Sequence, residues 1–301
     1  HAMMAMDGSV VLAGGNADND YWAYGEAAER IVETPDGGHD TLWYLAGPDD
    51  FTLRVPANIE NIRIGTVVSR NETGPPEGKV VRIVAHPDSA INFESSERVS
   101  VHVTGSRGDD VMVGPKYTGA TFEGGEGDDL LIAQSSRRND RHAFFGGPGN
   151  DTLRGGNGRD TLDGGPGDDV IVGGDGFNKI YGGPGNDLIT DGDHSSEIHT
   201  GPGRNVVVSG SGKDHIFVGP GENTITGGQG EVAYHITWGG ICHITDWADG
   251  DSILLDNWPG EPAFGRDGKD VVIALGLSAI VVENWADEKA LRKATTRAPG
   301  P

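Results

Sequence analysis

Between Gly146 and His235 one buried-type residue returns at every ninth position: Leu153, Leu162, Ile171, Ile180, Ile189, Ile198, Val207, Ile216, Ile225 and Tyr234. The six residues that open each nonamer are glycine-rich and polar, as in GGPGNDTLR (146–154) and GGPGDDVIV (164–172). Two more copies stand upstream, GSRGDDVMV (105–113) and GGEGDDLLI (124–132). Each nonamer therefore predicts a tight turn followed by a three-residue strand that sends its eighth position inward. Two nonamers make one coil, with a strand on each of two facing sheets. No coil buries its apolar residue alone, so the coils must stack.

The sixth position of the nonamer is acidic in most copies. Stacked coils would bring these carboxylates to about 4.8 Å spacing, a ladder of like charges. A hard divalent cation held between turns relieves the repulsion, and ligation by oxygen alone favours calcium. The ligands read from the register are the carboxylates of Asp110, Asp129, Asp151, Asp160, Asp169 and Asp187 and the amide of Asn205. The backbone of the turn glycines Gly108, Gly125, Gly127, Gly147, Gly149, Gly158, Gly165, Gly167, Gly183 and Gly185 completes the set, with several calcium ions expected.

These repeats resemble those of the RTX (haemolysin-type calcium-binding) family of bacterial secreted proteins. The similarity extends to residues 15–65, where Asp20 and Asp40 match the acidic position and Asn61 matches the Asn of a V-E-N-L strand. Downstream, ICHITDWADGDSILLDN (241–257) and DGKDVVIALGLSAIVVENW (267–285) are similar to the family's C-terminal flanking and capping strands. Residues 66–104 and the last fifteen match poorly. The resemblance implies calcium-driven folding, an extracellular location and export by type I secretion. The expected fold is a right-handed parallel β-roll with irregular N-terminal β coils and a β-rich cap. Its segments are 1–6, a cloning remnant; 7–104, degenerate coils; 105–238, the nonapeptide roll; and 239–301, a capping region with a loose tail.

Even and odd nonamers form separate columns. Asp110, Asp129, Asp151, Asp169, Asp187, Asn205 and Asn223 fall in the first, if the stretches before and after Asp129 carry small insertions. The second holds Asp160, Asn178, Ser196, Asp214 and Val232. Pro148, Pro166, Pro184, Pro202 and Pro220 all stiffen first-column turns. The first column is thus predicted to carry the ions. Outward positions of its sheet are apolar (Val111, Leu130, Val170, Leu188, Val206), which predicts cover by the N-terminal segment or by a partner protein. The opposite sheet presents Lys179, Tyr181, Glu197, His199, His215, Phe217 and His235. This face reads as a cross-strand aromatic ladder, with a polysaccharide platform as the alternative.

The formal net charge is −23, and no basic surface suits nucleic acid. Cys242 is the sole cysteine, which removes disulfide frameworks and cysteine metal knuckles. No stretch reaches membrane-spanning length, and the start lacks the marks of a signal peptide. H-E-x-x-H and G-x-S-x-G are absent, and the G-x-G strings are explained as turns, so no enzyme is expected. A solenoid enzyme acting on polysaccharide through Lys179, Tyr181, Glu197 or His199 is the alternative from another class.

Overall fold

The computed structural model describes residues 2–5, 12–13, 17–24, 31–32, 38–46, 51–66, 80–95, 99–134, 139–285 and 287–297. With 47% strand and 3% helix, the chain forms parallel stacked coils, a β-solenoid. It divides into two compact units, His1–Asn157 and Gly158–Pro301, and residues 105–238 contribute to both.

In the first unit one sheet runs through strands Ala2–Ala5, Asp20–Tyr24, Thr41–Ala46, Asn61–Thr66, Asn92–Ser95, Val111–Val113, Leu130–Ile132 and Thr152–Arg154, each parallel to the next. The second sheet runs through Phe51–Arg54, Val80–Val84, Ser100–Thr104, Ala120–Glu123 and Ala143–Phe145. Successive strands of the chain alternate between the sheets, which is what a coil of two strands requires. The core is a row of registered inward side chains. Leu42, Ile62, Phe93, Met112, Leu131 and Leu153 line one sheet, and Leu53, Ile83, Val103, Phe122 and Phe144 line the other; all are buried.

The second unit repeats the plan with eighteen-residue coils. Ile171, Ile189, Val207, Ile225, Ile244 and Val282 stack under one sheet, and Leu162, Ile180, Ile198, Ile216, Tyr234 and Ile253 under the other. Every one of them is fully buried. The first sheet ends in two antiparallel strands, Asp270–Leu275 and Ala263–Asp267, laid against Ser278–Val282. The last of these, Ala263–Asp267, is largely exposed and carries Arg266 and Asp267, charges that discourage a further strand.

Residues 2–5 pair in register with Asp20–Ala23. The poorly matched 66–104 stretch supplies three strands, Val80–Val84, Asn92–Ser95 and Ser100–Thr104. Its period-two alternation is clear, but coil lengths vary around it and hide the repeat. The tail is not loose through residue 297. A helix, Glu288–Ala294, is capped by the Asp287 carboxylate accepting from the Ala290 N–H, and Thr295–Arg297 then pairs with Ile253–Leu255. Residues 298–301 lie outside the described residues, as do 135–138 within the second insertion.

Candidate metal centre: two unequal columns of turns

The strand register places Asp110, Asp129 and Asp151 in one column of the first unit, since Val111, Leu130 and Thr152 are direct partners. In the second unit Asp169, Asp187, Asn205 and Asn223 form the corresponding column. Each acid is buried, and one of its oxygens is used in the same way from coil to coil. The Ile91 N–H donates to Asp110 Oδ1 at 2.6 Å, the Asp110 N–H to Asp129 Oδ1 at 2.7 Å, and the Asp129 N–H to Asp151 Oδ1 at 2.7 Å. The Asp169 N–H likewise donates to Asp187 Oδ1 at 3.0 Å. The carboxylate thus closes the strand ladder at its turn end, with one oxygen left over.

That second oxygen is what separates the positions. Oδ2 of Asp129 and of Asp187 is buried and accepts no hydrogen bond among the described residues. It points back across its own turn. A Cβ on Gly124 would lie 2.1 Å from Asp129 Oδ2, and one on Gly182 would lie 2.4 Å from Asp187 Oδ2. Glycine at the first position therefore keeps open a cradle of oxygens. Gly183, next in the turn, sits at φ +104°, where its missing Cβ would also meet the Gly165 carbonyl at 2.0 Å. First-column turns are tied by bonds such as Gly167 N–H to Pro184 O at 3.0 Å and Gly185 N–H to Pro202 O at 3.1 Å.

Burial of uncompensated charge shows in the acidities. Burial pushes the Asp129 carboxyl up to about 8, helped by the charges of Asp110 and Asp151. Burial likewise raises Asp187 to about 6. A bound cation would reverse this by favouring the ionised form. Among the described residues no three His, Cys, Asp or Glu side chains converge as a ready-made metal cluster. Any ion here would be held mainly by turn carbonyls with one or two carboxylates, an oxygen set that suits calcium and not zinc.

Not every expected ligand fits. Asn205 Oδ1 accepts from the Asp187 N–H at 2.8 Å, while its Nδ2 donates to the carbonyl of Gly201 at 3.2 Å and to Asn223 at 2.9 Å. Asn223 repeats this with Gly219 O at 3.0 Å. At these turns an amide hydrogen stands where the aspartates present an oxygen, so Asn205 leaves the ligand set. Asp110 is also satisfied: Ser106, in place of the second turn glycine, donates its N–H to Oδ2 at 2.6 Å and its hydroxyl to Oδ1 at 3.2 Å. In that same turn Gly108 is not among the left-handed glycines, unlike Gly125, Gly127, Gly147 and Gly149. Asp20 is misplaced by one residue. It pairs with Thr41, is exposed, and accepts from Trp43 Nε1 at 3.3 Å, so Asn19 stands opposite Asp40. Asp40 is buried with its Oδ2 unbonded among the described residues.

The second column is chemically mixed. The Asp160, Asn178 and Ser196 N–H groups donate in turn to Asn178 Oδ1, Ser196 Oγ and Asp214 Oδ1 at 3.2, 3.1 and 2.8 Å. Asn178 Nδ2 donates to Gly174 O at 3.1 Å, the same self-satisfying amide as Asn205. Asp191, Asp246 and Asp251 enter this side and were not singled out from the sequence. Asp251 accepts from Val232 N–H at 2.9 Å, and Asp246 accepts from Gly227 and Gly228 N–H at 2.7 and 2.6 Å. Asp191 opens the nonamer 191–199, whereas Asp246 and Asp251 follow the last nonamer, where spacing gives no register to read them by.

Residues 145–179, 163–193 and 199–231 match the family model of the RTX calcium-binding nonapeptide repeat, found in four copies. The chain carries RTX calcium-binding repeats. The RTX match covers turns on both sides of the 157/158 unit boundary, and the copies at 105–113 and 124–132 lie outside it. No curated protein matches the chain. No helix among the described residues is long and apolar enough to cross a membrane.

The outer faces of the RTX coils differ. Val170, Leu188, Val206 and Val208 are exposed, and no described residue covers them. On the other sheet Tyr181, His199, Phe217 and His235 stack face to face, with centroids 4.8, 4.4 and 4.2 Å apart. Lys179 pairs with Glu197 at 2.9 Å, Glu197 contacts His199 at 2.7 Å, and His215 lies 3.3 Å from His235. The ring faces are spent on one another and only edges remain. This favours the stabilising ladder over a platform on which a sugar ring would lie flat.

Proposed function

We propose that the chain is a calcium-dependent folding module that works outside the cell, as a scaffold, secretion or surface-binding domain rather than an enzyme. The observation that carries this reading is the buried, unbonded Oδ2 of Asp129 and Asp187 facing a glycine-lined turn. An orphaned buried carboxylate oxygen costs several kcal/mol unless a cation or proton meets it. Calcium supplies the charge, and the turn carbonyls supply the remaining ligands. Because the unfolded chain holds no such arrangement, binding energy becomes folding energy. Extracellular-type sites bind at about 0.1–1 mM, so the module would stay largely unfolded at cytosolic calcium and fold on reaching the outside.

Far-UV circular dichroism in chelator and then in millimolar calcium tests this. The expected outcome is a weak, disordered spectrum that converts to a β spectrum on adding calcium and not magnesium. An unchanged β spectrum under chelation would falsify the proposal.

A further inference from the structure

A cavity of about 320 Å³ lies in the second unit between the 247–251 loop and the helix Glu288–Ala294. Two indoles line it, Trp247 and Trp285, with centroids 6.3 Å apart and planes at 65°. Both are fixed from behind. Trp247 stacks on the buried Tyr234 ring at 6.0 Å, and Trp285 Nε1 donates to the Asp287 carbonyl at 2.9 Å. The loop itself is tied by the buried Asp251, whose carboxylate accepts from the Ala248 and Val232 N–H groups, both at 2.9 Å. The cavity is therefore preformed, and the small Ala290 and Ala294 leave it open on the helix side.

Two charged groups on its wall are not consumed by the fold. Lys293 makes no ion pair among the described residues, and Asp249 is exposed at the tip of the loop. This lining selects by exclusion. A quaternary ammonium would suit the indoles but meets the Lys293 ammonium. An anion would suit Lys293 but meets Asp249 and Asp251 on a chain of net charge −23. A neutral ring with an apolar C–H face and a hydroxyl edge satisfies all of them: the face lies on an indole, one hydroxyl donates to Asp249, and another accepts from Lys293. The volume stands at the small end of ligand pockets, room for one sugar residue or the end of a chain.

We propose that this cavity binds a neutral hexopyranose. The proposal is independent of which turns hold calcium, and it moves saccharide recognition from the aromatic ladder to the cap.

The test uses the full chain in calcium, with circular dichroism on the same samples to establish that each is folded. Saturation-transfer NMR and tryptophan fluorescence are recorded with glucose, galactose, mannose and N-acetylglucosamine, and with tetramethylammonium and glucuronate as charged controls. At least one neutral hexose should show transfer and shift the fluorescence, and both charged probes should bind more weakly. Lys293→Ala should weaken that hexose about tenfold, as loss of a charge-assisted hydrogen bond does. Trp285→Ala should abolish it, and Asp249→Asn should weaken it. If the folded chain binds no neutral hexose, prefers tetramethylammonium or glucuronate, or binds hexose equally in the Trp285 and Lys293 variants, the proposal is wrong. A chain that does not fold in calcium would instead strike at the proposed function.

Discussion

At the residue scale, one atom distinguishes a turn that calls for a cation from a turn that does not. Asp187 and Asn205 are neighbours in one column, and each accepts an N–H bond through Oδ1. Asp187 then presents a bare oxygen to its turn, whereas Asn205 presents an amide that bonds Gly201 O. Converting Asn205 to Asp should therefore create a turn that depends on calcium. In limiting calcium Asn205→Asp should lose about 1–3 kcal/mol, the cost of a buried group left without its partner, and should recover most of it in saturating calcium. Urea melts under the two conditions measure both numbers.

His142 shows a different use of a buried polar residue. It immediately precedes the strand Ala143–Phe145, where its Nδ1 accepts the Ala120 N–H at 3.2 Å and its ring tilts against Phe144 at 5.6 Å. Burial lowers its pKa from 6.5 to about 4, against a smaller opposing effect of Asp140. As pH falls the unfolded chain takes up this proton first, so the stabilisation is complete above 6.5 and is lost progressively toward 4. The loss amounts to about 3 kcal/mol at most. His142→Asn, which keeps an acceptor for Ala120, should flatten this part of the pH–stability curve relative to wild type in parallel denaturant titrations.

At the element scale, the three-residue strands have no stability of their own and draw it from the registered interior. Ile198 stacks between Ile180 and Ile216 and is fully buried. Ile198→Ala should cost about 2–5 kcal/mol, because neighbouring coils on both sides limit how far the cavity can collapse. The thermal midpoint of the calcium-loaded protein reports it.

Legibility follows the same lines. Wherever the nonamer holds, its eighth position identifies the inward residue and its sixth the turn acid, and the structure places both so. Asp20 was misjudged because the early coils advance by 21 and then 20 residues, from Tyr21 to Leu42 to Ile62, with no constant period to set the phase. A shift of one residue in a strand exchanges its two faces. Asp110 and Asn205 kept the right register, but the hydrogen bonds that satisfy them depend on Ser106 and on an amide orientation that spacing does not encode. The capping helix did leave a signal: Asp287 before Glu288, then Arg292 and Lys293 in the last turn, is the charge order of a short helix. It is faint beside the stronger repeat.

At the scale of the whole molecule, the net charge of −23 becomes an account of when the chain folds. Compaction gathers buried carboxylates such as Asp129 and Asp187 and raises their pKa values, so without a counter-charge the compact state works against itself. The Asn-bearing turns lack this conflict. Calcium dependence should therefore come from the Asp-bearing turns and not from the repeat as such. Replacing Asp129 and Asp187 together by Asn isolates them, since Asn keeps the shape and the Oδ1 bond while filling the cradle with an amide hydrogen.

The measurement is the shift in thermal midpoint between limiting and saturating calcium, by calorimetry, for wild type and for Asp129→Asn/Asp187→Asn, with bound calcium counted in the same samples. The variant should melt higher than wild type in limiting calcium, gain less from saturating calcium and bind fewer ions. An equal calcium gain and an equal ion count in the two proteins would contradict the account.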